Sequence, residues 1–197
     1  MKRMGYTVKS IIAVLDAGGE EFTQRLLRGF SCRHNEEIDR YLQVRAVDFS
    51  RKSMTVTHLV FDDDTGLVVG YFALTHKPVT FNAEMLSRAQ CKRIERFAKL
   101  NPETSSYVVS AFLIAQIGKN YLAEDGNLIS GETLLTLAKN RLLVAKEQIG
   151  GQIVFVEMEH GNEQLAKFYH DNGFYQFGTR TDDGDGITYD QLFLFLK

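Results

Sequence analysis

The sequence predicts an α/β (α+β) fold, a mixed sheet carrying helices on its faces, and three observations lead there. Strand-like and helix-like segments follow one another in the order β, α, α, ββ, α, β, α, β, α, β, β, the mark of a layered sheet-and-helix domain. Two β-rich runs, 54–61 and 67–76, flank Asp62-Asp63-Asp64-Thr65-Gly66, a turn sequence that pairs them as an antiparallel hairpin. The chain has 197 residues, 44% hydrophobic and 24% charged, with 2 prolines. That balance supports one buried core, expected as a single domain over 1–197, and excludes a disordered or collagen-like chain.

Taken in order, Tyr6 to Leu15 alternates loosely and is expected as a strand, and Glu20 to Leu27 as a short helix entered after the Gly18-Gly19 turn. Glu36 to Phe49 carries Ile38, Tyr41 and Leu42 at helical spacing and predicts a helix with one buried face. After the hairpin, Asn82 to Leu100 reads as a helix with a strongly charged outer face, inserted between two strands. Thr104 to Ile117 predicts a strand, Gly131 to Glu147 a long helix and Gln152 to Met158 a strand. Asn162 to Asp171 predicts a helix, stopped by Asn172-Gly173 with glycine in the left-handed cap position. Phe174 to Gly178 and Thr188 to Phe195 close the order as strands.

Charge and hydropathy narrow the function classes. There are 23 basic and 25 acidic residues, a net charge of minus two, so the chain has no general field for phosphate backbones. No apolar run approaches the roughly 20 residues of a membrane-spanning helix. The first residues lack a long apolar core and a small-residue cleavage site, and the expected location is the cytoplasm. Cys32 and Cys91 form no CxxC pair and no zinc-like cluster, so free thiols and no metal are expected. Thr181-Asp182-Asp183-Gly184-Asp185-Gly186 lacks calcium-loop spacing and predicts a hairpin turn.

Two segments carry chemistry. Leu113 to Asn120 leads through a polar loop, Tyr121 to Ser130, into a helix opening at Gly131. The first N–H groups of a helix have no intrahelical partner and sit at the positive end of its dipole, so this start can hold an anion; it is equally an ordinary turn with two glycines, Gly126 and Gly131. The second segment runs from Ile153 through Glu157 and Glu159 to the helix Asn162 to Asp171.

This second segment, ending Phe168-Tyr169-His170-Asp171-Asn172-Gly173-Phe174, resembles the final motif of the GCN5-related N-acetyltransferase (GNAT) family. Phe30-Ser31-Cys32, Ile38-Asp39, Tyr41-Leu42 and Val69-Gly70-Tyr71-Phe72 resemble its opening half, as seen in the branch that includes acetyltransferase toxins of toxin-antitoxin pairs. The resemblance covers Phe30 to Phe195, with 82–100 as an extra piece. It implies a mixed, mostly antiparallel sheet whose central strands, 108–117 and 152–158, splay to admit acetyl-CoA. It implies direct acetyl transfer to an acceptor amine in a ternary complex. Two alternatives stand beside this: a toxin-type enzyme acting on aminoacyl-tRNA and restrained by a small antitoxin, and a non-catalytic CoA-binding regulator. Nucleic acid is otherwise not expected as a partner, and a homodimer is compatible with the final strand and the insertion.

Carried over by position, Ile117, Gly118 and Lys119 are the stretch whose backbone N–H polarises the thioester carbonyl. Gly126, Asn127, Ser130, Gly131 and Glu132 are the pyrophosphate loop and helix start, with Asn162 and Phe168 further along the cofactor. Of the family's glycine pattern in this loop only Gly131 is kept. Tyr169 is the expected acid that protonates the departing thiolate; with Leu165 and Phe168 it also has the i, i+3, i+4 spacing of a plain buried helix face. Glu157 is the candidate base for the amine, Glu159 and His76 being the other carboxylate and imidazole in view, and each is also an ordinary strand-end residue. Cys32, just before a helix, has no His partner legible in sequence to make it a nucleophile.

Overall fold

The computed structural model describes residues 5–33, 35–122, 128–184 and 186–197. The sheet has seven strands in the order β1-β2-β3-β4-β5-β7-β6 and is antiparallel except where β4 meets β5. By internal contacts the chain divides into two compact units, 1–75 with 114–142, and 76–113 with 143–197. The long strands β3 (Val68–Asn82) and β4 (Ser106–Lys119) and the helix α5 (Gly131–Ile149) contribute residues to both.

In the first unit, β1 (Tyr6–Ser10) pairs with β2 (Val56–Asp62) from Tyr6↔Asp62 to Ser10↔His58. The expected strand to Leu15 stops at Ser10. Its hydroxyl accepts from the Ala13 N–H at 3.1 Å and caps α1 (Ile11–Arg28), whose Ile11 and Val14 are buried three residues apart on one helical face. A capping serine wins over loose alternation because it satisfies a donor that a continuing strand would have left for another partner. Gly18-Gly19 is a kink rather than a turn between elements: Gly19 lies at φ +77°, and the expected helix 20–27 is the second half of α1.

The expected helix 36–49 is α2 (Glu36–Arg40), a π-helical turn over Tyr41–Arg45, and α3 (Ala46–Arg51). Asn35 caps α2 through the N–H groups of Glu37 and Ile38. The hairpin forms as expected, with Thr65 donating to Asp62 and Gly66 at φ +71° in the turn. Tyr71 of β3 ties these pieces together: its ring stands edge-on to Phe30 at 5.2 Å, and its hydroxyl donates to the Ile38 carbonyl at 2.7 Å.

In the second unit, β5 (Ile153–Glu159) pairs along its whole length with β7 (Thr188–Phe195), which also carries β6 (Tyr175–Thr181). The parallel ladder of β4 with β5 spans Phe112↔Val154 and Leu113↔Phe155. Phe81, Phe177 and Phe193 pack ring against ring at 4.4 to 5.6 Å on one face of these strands. The expected 82–100 helix is shorter. The strand runs on to Asn82, a 3-10 turn follows at Ala83–Met85, and a Ser87/Gln90 capping box restarts the chain as α4 (Arg88–Ile94). Helix α6 (Glu163–Asp171) starts on the Asn162 side chain and ends with Gly173 at φ +85°, as its sequence predicts. Among the described residues no helix is long and apolar enough to cross a membrane.

Candidate functional site

The expected site residues fall in both units. In the first, β4 ends on Ile117, Gly118 and Lys119. Gly118 is buried, and a Cβ there would collide with Ile38 and lie 3.3 Å from Tyr71 and 3.4 Å from Phe30. Across from it, a Cβ on Gly70 would come within 3.2 Å of the Gly118 carbonyl and 3.0 Å of Leu134. Gly70 therefore lets β3 lie close to the β4 backbone and to α5, whereas Gly118 leaves room for the Ile38, Tyr71 and Phe30 side chains. Lys119 sets its ammonium 5.2 Å from the Tyr121 ring centre.

The chain leaves β4 under the control of Asn120, which the sequence reading did not single out. Its carboxamide nitrogen donates to the carbonyls of Gly29 at 2.8 Å and Val68 at 2.7 Å. Its oxygen accepts from the N–H groups of Ser31 and Leu122. The Tyr121 N–H adds a bond to the Ser31 carbonyl at 2.8 Å. Four bonds through one side chain fix the exit of the strand against the Phe30-Ser31-Cys32 segment.

Ser130 caps α5: its hydroxyl accepts from the Thr133 N–H at 3.0 Å and meets the Thr133 hydroxyl at 2.8 Å. Its carbonyl accepts the Leu134 N–H. The N–H groups of Gly131 and Glu132, in the first turn, have no intrahelical acceptor and remain available to an anion. Glu132, exposed in that same turn, adds a negative charge that favours the helix dipole but works against a bound phosphate. Gly126 and Asn127 lie outside the described residues.

In the second unit, Tyr169 is 4% exposed, its ring held edge-on by Phe168 at 5.4 Å and Phe174 at 5.3 Å. The Phe174 N–H donates to the Tyr169 carbonyl at 3.0 Å, clamping the helix end. The phenol makes no hydrogen bond among the described residues, yet no buried side-chain oxygen or nitrogen is left unpaired. The ring is thus enclosed, and the phenol shares the little exposure, 4%, that the residue keeps. Burial pushes the phenol pKa up to about 12, so at neutral pH the proton is on the oxygen.

Glu157 is fixed by three donors. Arg180 binds it bidentately, Nε to Oε1 at 3.1 Å and Nη2 to Oε2 at 3.2 Å, and Gln191 donates to Oε1 at 2.7 Å. Oε1 has both lone pairs engaged, whereas Oε2 keeps one free. Arg180, also bound to Asp182 at 2.9 Å, is held charged well above its ordinary range by these two carboxylates. Neither Arg180 nor Gln191 was expected at the site. Asn162 is exposed and caps α6, its side-chain oxygen accepting from the Leu165 N–H at 3.0 Å. Glu159 and His76 are exposed, His76 resting edge-on against Phe112 at 5.1 Å.

A further dyad lies nearby in sequence. His160 Nδ1 is 2.9 Å from Oδ1 of the buried Asp190, which also accepts from Gln176 at 3.0 Å. Neither Cys32 nor Cys91 takes part in a disulfide, and among the described residues no group of three His, Cys, Asp or Glu side chains could hold a metal ion.

No protein-family profile matches the chain, and no curated protein matches it. Solved structures do. AtaT complexed with acetyl-methionyl-tRNAfMet is 18% identical, with 97% of this chain and 95% of that chain covered and a TM-score of 0.65. A tyrosine-to-phenylalanine mutant of KacT is 19% identical, with 93% of both chains covered and a TM-score of 0.62. A mutant AtaT toxin bound to the C-terminus of the antitoxin AtaR and acetyl-CoA is 18% identical, with 97% and 93% covered and a TM-score of 0.57. At these identities the finding is one of fold: the mixed, mostly antiparallel sheet expected of an acetyltransferase toxin is the sheet this chain forms.

Proposed function

We propose that this chain is an acetyl-CoA-dependent N-acetyltransferase acting by direct transfer to an acceptor amine. The observation that carries the reading is Tyr169: a clamped, almost wholly buried ring whose phenol keeps its proton up to a pKa of about 12, on the fold of AtaT and KacT. Acetyl-CoA, when bound, supplies the acetyl thioester. The residues present suit it: the uncapped N–H groups at the start of α5 offer a place for pyrophosphate, and Gly118 leaves bare backbone at the end of β4.

In the proposed reaction the amine nitrogen bonds to the acetyl carbon and the carbon–sulfur bond breaks. Backbone N–H groups in the Ile117 to Lys119 stretch stabilise the charge that grows on the carbonyl oxygen. Tyr169 gives its proton to the departing sulfur and is recharged from solvent. The ammonium first loses a proton to solvent, and the second nitrogen proton, released as the C–N bond forms, passes through water to the free lone pair of Glu157 Oε2, with Arg180 holding the carboxylate in place.

For the acceptor, the acetyl-methionyl-tRNA in the AtaT complex favours the α-amine of an aminoacyl-tRNA. A small antitoxin partner and a cytoplasmic location belong to that reading, the first supported by the AtaT complex with AtaR. The test is thermal unfolding with acetyl-CoA, ATP and NAD in parallel, followed by amine-dependent thiol release. At about 100 times Kd, binding adds roughly 2.7 kcal/mol, a shift of about 5–10 °C for a chain of this size. A shift specific to acetyl-CoA with thiol release only when amine is added supports transfer. A shift without amine-dependent release leaves a CoA-binding protein and no enzyme.

A further inference from the structure

The net charge of minus two hides a strong local segregation. Between Arg88 and Lys99 there are five cationic side chains, Arg88, Lys92, Arg93, Arg96 and Lys99, against one carboxylate, Glu95. Helix α4 and the turns after it, closed by Ala98 N–H to the Ile94 carbonyl at 2.9 Å, space Arg88, Lys92 and Arg96 four residues apart along one stripe.

The segment is anchored from below by the other residues. Ile94 is fully buried, the Arg93 guanidinium lies 4.0 Å from the Phe195 ring centre, and Glu95 accepts from the Tyr107 hydroxyl at 3.0 Å. Outside, four cations, Arg88, Lys92, Arg96 and Lys99, outnumber the exposed Glu95, and none of the four forms an ion pair among the described residues. Among exposed cations on other elements, Arg40 pairs with Glu37, Arg51 with Glu20, Lys52 with Asp48 and Lys167 with Asp171, while Arg25, Arg28, Arg45 and Lys77 form no pair among the described residues, so the 88–99 segment stands out by how closely its unpaired cations are spaced. Phe97, 41% exposed, stands between Arg96 and Lys99 and offers a ring face to an unpaired base.

Unpaired cations in a row along a rigid, anchored stripe complement a chain of phosphates spaced along a backbone. We infer that the outer face of residues 88–99 is the docking surface for the phosphate backbone of the RNA that carries the acceptor amine. This rests on the aminoacyl-tRNA reading of the acceptor. It assigns recognition to a surface that can be altered without touching the residues proposed to perform transfer.

The test uses the full chain and two variants of equal charge change. One replaces Arg88, Lys92, Arg96 and Lys99 by Gln; the other replaces the ion-paired Arg40, Arg51, Lys52 and Lys167 by Gln. Both sets are exposed, and thermal unfolding confirms that each variant folds. Binding to methionyl-tRNA is measured from 50 to 300 mM salt, with polyglutamate as a second polyanion, and acetylation of a small primary amine is followed alongside.

The inference expects the first variant to lose about 100-fold in RNA affinity at 0.1 M salt and its log–log salt slope to shrink by about 3, close to one counterion per cation removed. The second variant and small-amine acetylation by both should stay near wild type. Equal RNA affinity and slope in both variants, with tRNA still acetylated, would overturn the surface and leave the acceptor reading standing. Acetylation of the small amine with no RNA binding or acetylation by wild type overturns the acceptor reading itself and the surface with it. Polyglutamate bound as tightly as tRNA through the same four side chains assigns the stripe to acidic protein and overturns the RNA partner.

Discussion

Replacing Tyr169 by Phe removes one oxygen and keeps every ring contact, which makes it the sharpest probe of the proposed chemistry. The hydroxyl has no hydrogen-bond partner among the described residues. Its loss should therefore change stability at pH 7 by less than about 0.5 kcal/mol, while turnover falls by about 10²- to 10⁴-fold, the range of a positioned general acid. The pKa adds an independent signature. An unfolded tyrosine titrates near 10, and the folded Tyr169 near about 12. Between those values the native state holds a proton that the unfolded state has released, so wild-type stability falls as pH rises through this window. Two pKa units correspond to a loss on the order of 3 kcal/mol across this window.

The Phe variant lacks this loss. Urea unfolding of both proteins from pH 8 to 12.5 should show nearly equal stability up to pH 9 and a growing relative advantage of Phe above pH 10. Tyr107, whose phenol is also raised to about 12 by burial and its bond to Glu95, titrates in both proteins and cancels in the difference. Parallel stability curves at every pH would refute the burial of the phenol, and unchanged turnover would remove Tyr169 from the mechanism.

Other substitutions test the framework around it. Gly118→Ala forces a methyl into Ile38 and should cost about 1–3 kcal/mol, seen as a lower Tm, with most of the loss relieved in an Ile38→Ala background; equal costs in both backgrounds would contradict the packing described. Asn120→Ala removes four hydrogen bonds at the exit of β4 and should lower stability by about 2–4 kcal/mol in urea unfolding and shrink the acetyl-CoA thermal shift. Glu157→Gln, with Arg180 still present, separates base from brace: a base predicts at least a 100-fold fall in kcat with acetyl-CoA binding retained, whereas a fall below tenfold leaves Glu157 a positioning residue.

The sheet was legible because its strands are marked by composition and its turns by chemistry. Asp62 to Gly66 closes the hairpin through the Asp62 side chain, and Asn172-Gly173 stops α6, each within a few residues of sequence. Where local signals compete, periodicity misled. Tyr6 to Leu15 alternates loosely enough to pass for one strand, but the strand ends at Ser10, which caps a helix whose face buries Ile11 and Val14. The 82–100 stretch has helical charge spacing throughout, yet Asn82 stays extended and the capping box at Ser87 decides where the helix begins.

The candidate site was legible only as far as its motifs are local. Gly118 and Tyr169 sit in recognisable segments, whereas Asn120 acts through Gly29, Ser31 and Val68, 52 to 91 residues away, which no spacing rule reaches. Glu157 shows what was missing. The β5–β7 register places Gln191 directly opposite it, so that bond follows once the register is known. Arg180 needs one more fact. A regular continuation from Gln176↔Leu192 would set Arg180 opposite Thr188 and turn it to the other face of the sheet. The bulge between Gln176 and Gly178 shifts the pairing to Arg180↔Tyr189, the face that carries Gln191 and Glu157. One extra residue in β6 thus decides whether Glu157 is a solvated carboxylate or an Arg-braced one, and with it whether a proton acceptor is held in a fixed place.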